Sequence, residues 1–311
     1  MFKRFTNKQL GIALAGLTVL YLGMVSFGGR KARTFEKTLA AVDTSLVNTI
    51  IVDAPQKDQV QLEKQTGVWR LKLTNGNTAP VNGNGLRSAL GGLALLEASQ
   101  LVSRDDDDWG EYQVDSAGTR VQLMGADGKI LDIILGSFTY RTTGMNYVRL
   151  QDDEDTYLVE GYLEGNFNKA ANDWRKNNLT DFTTSDVQGL GFAMGESGAY
   201  KISKDSSQQW IMMETEQALD QAEVSSFISS IYALKSSNFV DRKPASLSPS
   251  MQLSIQTGTK GIVTIKAFPD AEHGFLIQSS QNPESYFSGN QEGLTDKLFV
   301  QAERFFAKEE E

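Results

Sequence analysis

The sequence contains no cysteine and a single histidine, His273. Without a thiol this chain has no disulfide, zinc–thiolate site, thiol nucleophile or lipid-modified cysteine. One imidazole also excludes a site that needs two histidine ligands or a His–His relay within one copy. Basic residues are in the minority, with 30 Lys and Arg against 39 Asp and Glu, for a formal net charge of −9. A phosphate-tracking face needs the opposite balance, so the charge argues against a nucleic-acid partner. It also gives the soluble part no general attraction to an anionic lipid surface. No G-x-S-x-G elbow, H-E-x-x-H helix or Walker A loop occurs.

What is present begins with one long apolar run. Leu10–Phe27 is uncharged and is extended by Gly28 and Gly29. At 1.5 Å per residue, about 20 helical residues cross the roughly 30 Å of a hydrocarbon core. Lys3, Arg4 and Lys8 precede the run, and Arg30, Lys31 and Arg33 follow it. No A-x-A-like cleavage site follows, so a single uncleaved span is expected in preference to a removed signal peptide. The flanking charges are nearly balanced. A signal-anchor arrangement, with the large C-terminal part outside the cytoplasm, is the orientation expected. Gly11 and Ala15 form a small-xxx-small pair, a spacing that also arises in spans with no packing partner.

From about residue 47 onward, one series of features occurs twice. Val47–Asp53, Val60–Glu63 and Val68–Leu73 around Trp69 read as strands. Val187–Met194, Ala199–Lys204 and Gln209–Met213 around Trp210 repeat them. An apolar stripe follows in each copy: Leu86, Leu90, Leu93 and Leu96, then Val224, Ile228, Ile231 and Leu234. Steps of three and four put each set on one helix face. Asn82 and Asp220 stand as N-caps, and Asp220 with Glu223 has capping-box spacing. Strand pairs then follow, with Gly125–Gly128 as a hairpin turn. Leu163, Phe167, Ala171 and Trp174, matched by Leu294, Leu298, Ala302 and Phe305, close the copies with a helical stripe.

The expected fold is therefore α+β: a transmembrane helix, then two tandem related lobes of antiparallel sheet with flanking helices. The divisions are a basic tail at 1–9, the span at 10–29, a linker at 30–46, a first lobe at 47–178 and a second at 179–311.

Candidate chemistry is sparse. Asp105–Asp108 and Asp152–Asp155 are acidic runs that could offer oxygen ligands to Ca²⁺, but neither has EF-hand spacing, and solvated loops account for both. His273 lies at a turn between strands. The glycines of Gly189-x-Gly191 and Gly195 sit in a strand with no helix opening after them, so they build no phosphate loop. Trp69 and Trp210 occupy matching places and read as packing residues. No residue is assigned a catalytic, cofactor-binding or metal-binding role, and no cofactor is expected.

The order of features resembles the domain of unknown function 4340 family. Phe35 with Val42-Asp43, Val47 to Trp69 and the helix from Asn82 carry the likeness. So do Asp108-Trp109-Gly110-Glu111-Tyr112, Ile134-Leu135-Gly136, Asn146-Tyr147-Val148-Arg149 and Asp173-Trp174-Arg175. Where the family has a Tyr-Gly turn after the first helix region, this sequence has Trp109-Gly110. The resemblance implies a bacterial inner-membrane protein with an extracytoplasmic accessory role beside an ABC transporter of the gliding-motility-associated kind. It supplies no catalytic residue. The expected function is a single-pass, non-enzymatic binding or accessory protein. It would be held to the membrane by Leu10–Phe27 and joined to membrane-protein partners. The alternatives are an envelope glycan- or peptide-acting hydrolase with carboxylates in an interlobe cleft, and a Ca²⁺-stabilised adhesive module.

Overall fold

A computed structural model describes residues 37–307. The apolar run at 10–27 lies outside them, and among the described residues no helix is long and apolar enough to cross a membrane. The first lobe contains β1 (Thr38–Ala41), β2 (Thr49–Asp53), β3 (Val60–Gln65), β4 (Val68–Lys72) and β5 (Thr78–Pro80). Helix α1 (Gly83–Leu93), β6 (Leu95–Ser103) and the short α2 (Trp109–Tyr112) follow. Then come β7 (Thr119–Gly125), β8 (Gly128–Tyr140), β9 (Gly144–Leu150), β10 (Thr156–Glu160) and α3 (Leu163–Phe167). The second lobe has β11 (Val187–Met194), β12 (Ala199–Lys204), β13 (Trp210–Met212), α4 (Gln221–Ile231) and β14 (Phe239–Val240). It ends with β15 (Met251–Thr257), β16 (Gly261–Asp270), β17 (Gly274–Ser279), β18 (Asn282–Ser288) and α5 (Leu294–Leu298).

The strands form two antiparallel sheets. The first runs β1-β6-β10-β9-β8-β7-β2-β3-β4-β5, and the second β13-β12-β11-β15-β16-β17-β18-β14. Taken from β4, the first sheet follows β4-β3-β2-β7-β8-β9-β10-β6, which is the strand order of the second; β5 and β1 are additions at its two edges. The architecture is thus α+β and repeat-like, with one sheet per lobe. Thr38–Ala41, in the segment read as linker, pairs with β6 instead.

Each lobe has its own core. Alternation in β2 and β3 buries Ile50, Val52, Val60 and Leu62 on one sheet face, which α1 covers with Leu86, Ala89, Leu90 and Leu93. In the second lobe α4 presents Val224, Phe227, Ile228 and Ile231. Asn82 and Asp220 cap the two helices as expected.

Three local expectations are corrected. Leu96 belongs to β6 because α1 stops at Leu93, and Leu234 lies beyond the end of α4 at Ile231. No reciprocal capping box forms, since the Asp220 amide donates to Phe305 O at 2.8 Å. The closing stripes are each split into two short turns: α3 then a 3₁₀ turn at Ala171–Trp174, and α5 then a 3₁₀ turn at Ala302–Phe305. All the same, Leu163, Phe167, Trp174, Leu294, Leu298 and Phe305 are buried.

Phe305 is fully buried, with ring centroids 5.5 Å from Phe227 and 6.1 Å from Phe192. Phe305→Ala is expected to cost about 3–5 kcal/mol through lost burial and the cavity left behind. Urea denaturation of the full chain checks this, and a loss below about 1 kcal/mol would contradict the packing.

Candidate functional site

With helices on one face of the first sheet, the other face is left for polar groups. Antiparallel register lines up Asp53, Arg120, Ile134 and Arg149 as direct neighbours across β2, β7, β8 and β9. A second row places Gln122 beside Asp132. Asp132 is 7% exposed and accepts two hydrogen bonds from Arg120, at 2.9 and 2.8 Å, and one from Gln122 at 3.0 Å. Burial works to raise its pKa, but these donors together with Lys129 outweigh it and hold the carboxyl below its ordinary value.

Arg149 is 4% exposed. Its Nε donates to Val114 O at 3.0 Å, and its Nη1 donates to the carbonyls of Leu150, Gln151 and Asp153 at 3.3, 3.3 and 3.0 Å. The guanidinium lies 3.8 Å from the Trp109 ring centroid, an aromatic face that stabilises a desolvated cation. Burial lowers its pKa from the usual arginine value. One side chain thereby joins two loops, 104–118 and 150–155. Trp109 joins them again, through Nε1 donating to Glu154 O at 3.0 Å.

Two glycines let the loop lie against the sheet. A Cβ on Gly118 would meet Gln113 O at 2.3 Å, and one on Gly136 would meet Tyr112 O at 2.3 Å, closer than real Cβ contacts come. Tyr112 packs against Tyr147 with the rings tilted by 32° and centroids 4.7 Å apart. The loop, the sheet row and the Ala54-Pro55 turn enclose a concavity of about 480 Å³.

Three segments distant in sequence therefore meet here: Asp108–Tyr112, Ile134–Gly136 and Asn146–Arg149. The two acidic runs flank the place, tied by Trp109 to Glu154 and by Arg104 to Asp155 at 3.8 Å. Asp105, Asp106 and Asp107 hold oxygens within 4.8 Å of one another, all exposed. In the sequence the two runs stand apart, and Arg149 is marked only as the end of the family segment Asn146-Tyr147-Val148-Arg149, with no role attached to it.

The matching row of the second lobe is Ala193, Gln252, Lys266 and Gln278, with no carboxylate in it. A depression of about 350 Å³ on the same face of the sheet is lined by Gly189, Gly191, Ser254, Gln256 and Ile262, with Lys201 as its one charged lining residue. His273 sits in the β16–β17 turn, its Nδ1 3.1 Å from Ser288 Oγ. Trp210 is buried and Trp69 packs against the first core.

A second concavity, about 390 Å³, lies between the lobes and is lined by Thr78, Arg175, Asp241, Arg242, Lys243 and Glu284, among others. Asp241 and Glu284 are its acids. Arg175, 3% exposed, donates to Asp241 at 2.8 Å, and Arg70 grips Glu284 with two bonds at 2.9 and 2.6 Å. Arg70 holds the Glu284 carboxyl below its ordinary value.

Fold and site define a two-lobed α+β protein with a loop-walled polar concavity on one sheet. A family model described as Domain of unknown function (DUF4340) matches residues 69–250, more than half of the sequence, and the chain belongs to that family. No curated protein and no solved structure matches it.

Arg242 at the rim of the cleft donates to Asp270 at 2.6 and 3.0 Å, and the amides of Glu272 and His273 donate to the same carboxylate. These donors, Arg242 first, bring its pKa from 3.8 down to about 2. A depressed native pKa means the unfolded chain binds the proton more tightly, so this stabilisation is present above pH 4 or so and is lost between about 4 and 2. Asp270→Asn should flatten that part of the stability–pH curve, as followed by thermal unfolding. An unchanged slope would contradict the assignment.

Proposed function

We propose that this is a single-pass, membrane-anchored accessory protein whose two lobes lie outside the cytoplasm and which acts by binding, as a component of an ABC-transporter-type envelope complex. The span is the apolar run Leu10–Phe27, and tethering confines the lobes near their membrane partners at high effective concentration. The state of the interlobe cleft favours binding over hydrolysis. A glycoside hydrolase needs one carboxyl protonated near its working pH and another free to attack or to activate water. Here both lining carboxylates are occupied by guanidinium groups, and Glu284 is pushed toward its ionised form. The accessory role and the transporter partner both rest on the resemblance set out above.

Purification of the tagged full chain in mild detergent should bring down permease and ATPase subunits in one stable assembly, and protease added to intact spheroplasts should cut the lobes. Recovery of the protein alone in repeated preparations, or lobes resistant until the membrane is lysed, would overturn the reading.

A further inference from the structure

The concavity on the first sheet holds opposite charges that face one another without joining. Arg120 is close enough to Asp53, and Arg149 to Asp115, for each arginine to feel the carboxylate, yet neither couple is an ion pair or a hydrogen bond. Each group is instead held by something else through only part of its bonding capacity. Arg120 uses Nε and Nη2 on Asp132, leaving Nη1. Arg149 uses Nε and Nη1 on carbonyls, leaving Nη2. Asp53 accepts from Gln59 on Oδ1, and Asp115 accepts from the Ala117 amide on Oδ1, which leaves one oxygen of each. All four residues line the same concavity, with Ile134, Trp109, Ala54 and Pro55 supplying apolar surface between them.

Fixed, partly desolvated donors and acceptors of both signs are costly to leave unmatched, and a ligand bearing both signs matches them. A purely anionic ligand would meet Asp53, Asp115 and the chain's overall negative charge; a purely cationic one would meet Arg120 and the buried Arg149. The apolar wall adds room for a side chain. We propose that this concavity binds the zwitterion of an apolar amino acid. The carboxylate takes the free nitrogens of Arg149 and Arg120, the ammonium group the free oxygens of Asp115 and Asp53, and the side chain lies against Ile134 and Trp109. The matching row of the second lobe, Ala193, Gln252, Lys266 and Gln278, holds neither a carboxylate nor a guanidinium, so it has no equivalent site. This assignment stands apart from the envelope complex, because it concerns a small ligand and one lobe.

Isothermal titration of the detergent-solubilised full chain tests it with three probes: L-phenylalanine, hydrocinnamate and phenethylamine. L-phenylalanine should bind at least about tenfold more tightly than either single-charge analogue, since each analogue leaves one set of charge-assisted bonds unmade. Asp115→Asn retains an oxygen for the Ala117 amide. It should weaken L-phenylalanine about tenfold without weakening hydrocinnamate, which loses a repelling charge. Ser116→Trp, in the exposed loop, should fill the concavity and abolish binding without shifting the melting temperature. No heat from any probe at millimolar concentration, phenethylamine binding as tightly as L-phenylalanine, or full binding by Ser116→Trp would each overturn the proposal. None of these results bears on whether the protein co-purifies with membrane subunits.

Discussion

Burial of Arg149 is the constraint around which the first lobe's outer face is organised. A guanidinium taken out of water must find acceptors, because the desolvation cost of an unmatched charge is several kcal/mol. Here the acceptors are backbone carbonyls at Val114, Leu150, Gln151 and Asp153, and the Trp109 ring covers one side. Loop carbonyls that face a sheet need donors just as much. Cation and loops therefore satisfy each other, and the wall of the concavity is held by that exchange and by the close approach that Gly118 and Gly136 permit.

The same division of labour explains how two lobes with one strand order differ in chemistry. In each lobe the helix-covered face carries the apolar burden, with α1 over the first sheet and α4 over the second. That leaves the opposite face under little packing constraint. In the first lobe it became a charged row under a loop; in the second the matching row has no carboxylate, and the face stayed small around Gly189, Gly191 and Ser254. Between the lobes, buried Arg175 and largely buried Arg70 bind the cleft's acids. The ion pairs fit a junction better than a reaction centre, although the exposed carboxylate at Glu284 limits what its pair adds to stability.

Much of the scaffold was legible in the sequence because it depends on short-range periodicity. The Val47, Trp69 and Asn82 regions, their counterparts at Val187, Trp210 and Asp220, and the split stripes ending at Trp174 and Phe305 all appear in sequence order and in phase. Four strands were missed. Thr38–Ala41 sits in a segment read as linker, Thr78–Pro80 and Phe239–Val240 are too short for alternation to be seen, and Leu95–Ser103 follows the helix directly, with Leu96 counted in the helical stripe. Leu96 and Leu234 kept helical spacing past the point where the helices stop, since a stripe shows which side is apolar and not where the turn ends. The site was the least legible part. Its row of Asp53, Arg120, Ile134 and Arg149 exists only once strand register is fixed, and register is a long-range property. The acidic runs at 105–108 and 152–155 gave no sign of being neighbours, because a tryptophan indole and a backbone carbonyl join them.

Native-state amide hydrogen exchange of the full chain, comparing the wild type with Arg149→Met, bears most directly on this account. Loops 104–118 and 150–155 should lose protection together, while α1, α4 and the strands of the second sheet keep theirs. Protection in both loops equal to that of the wild type would show that the buried arginine does not hold the site in place.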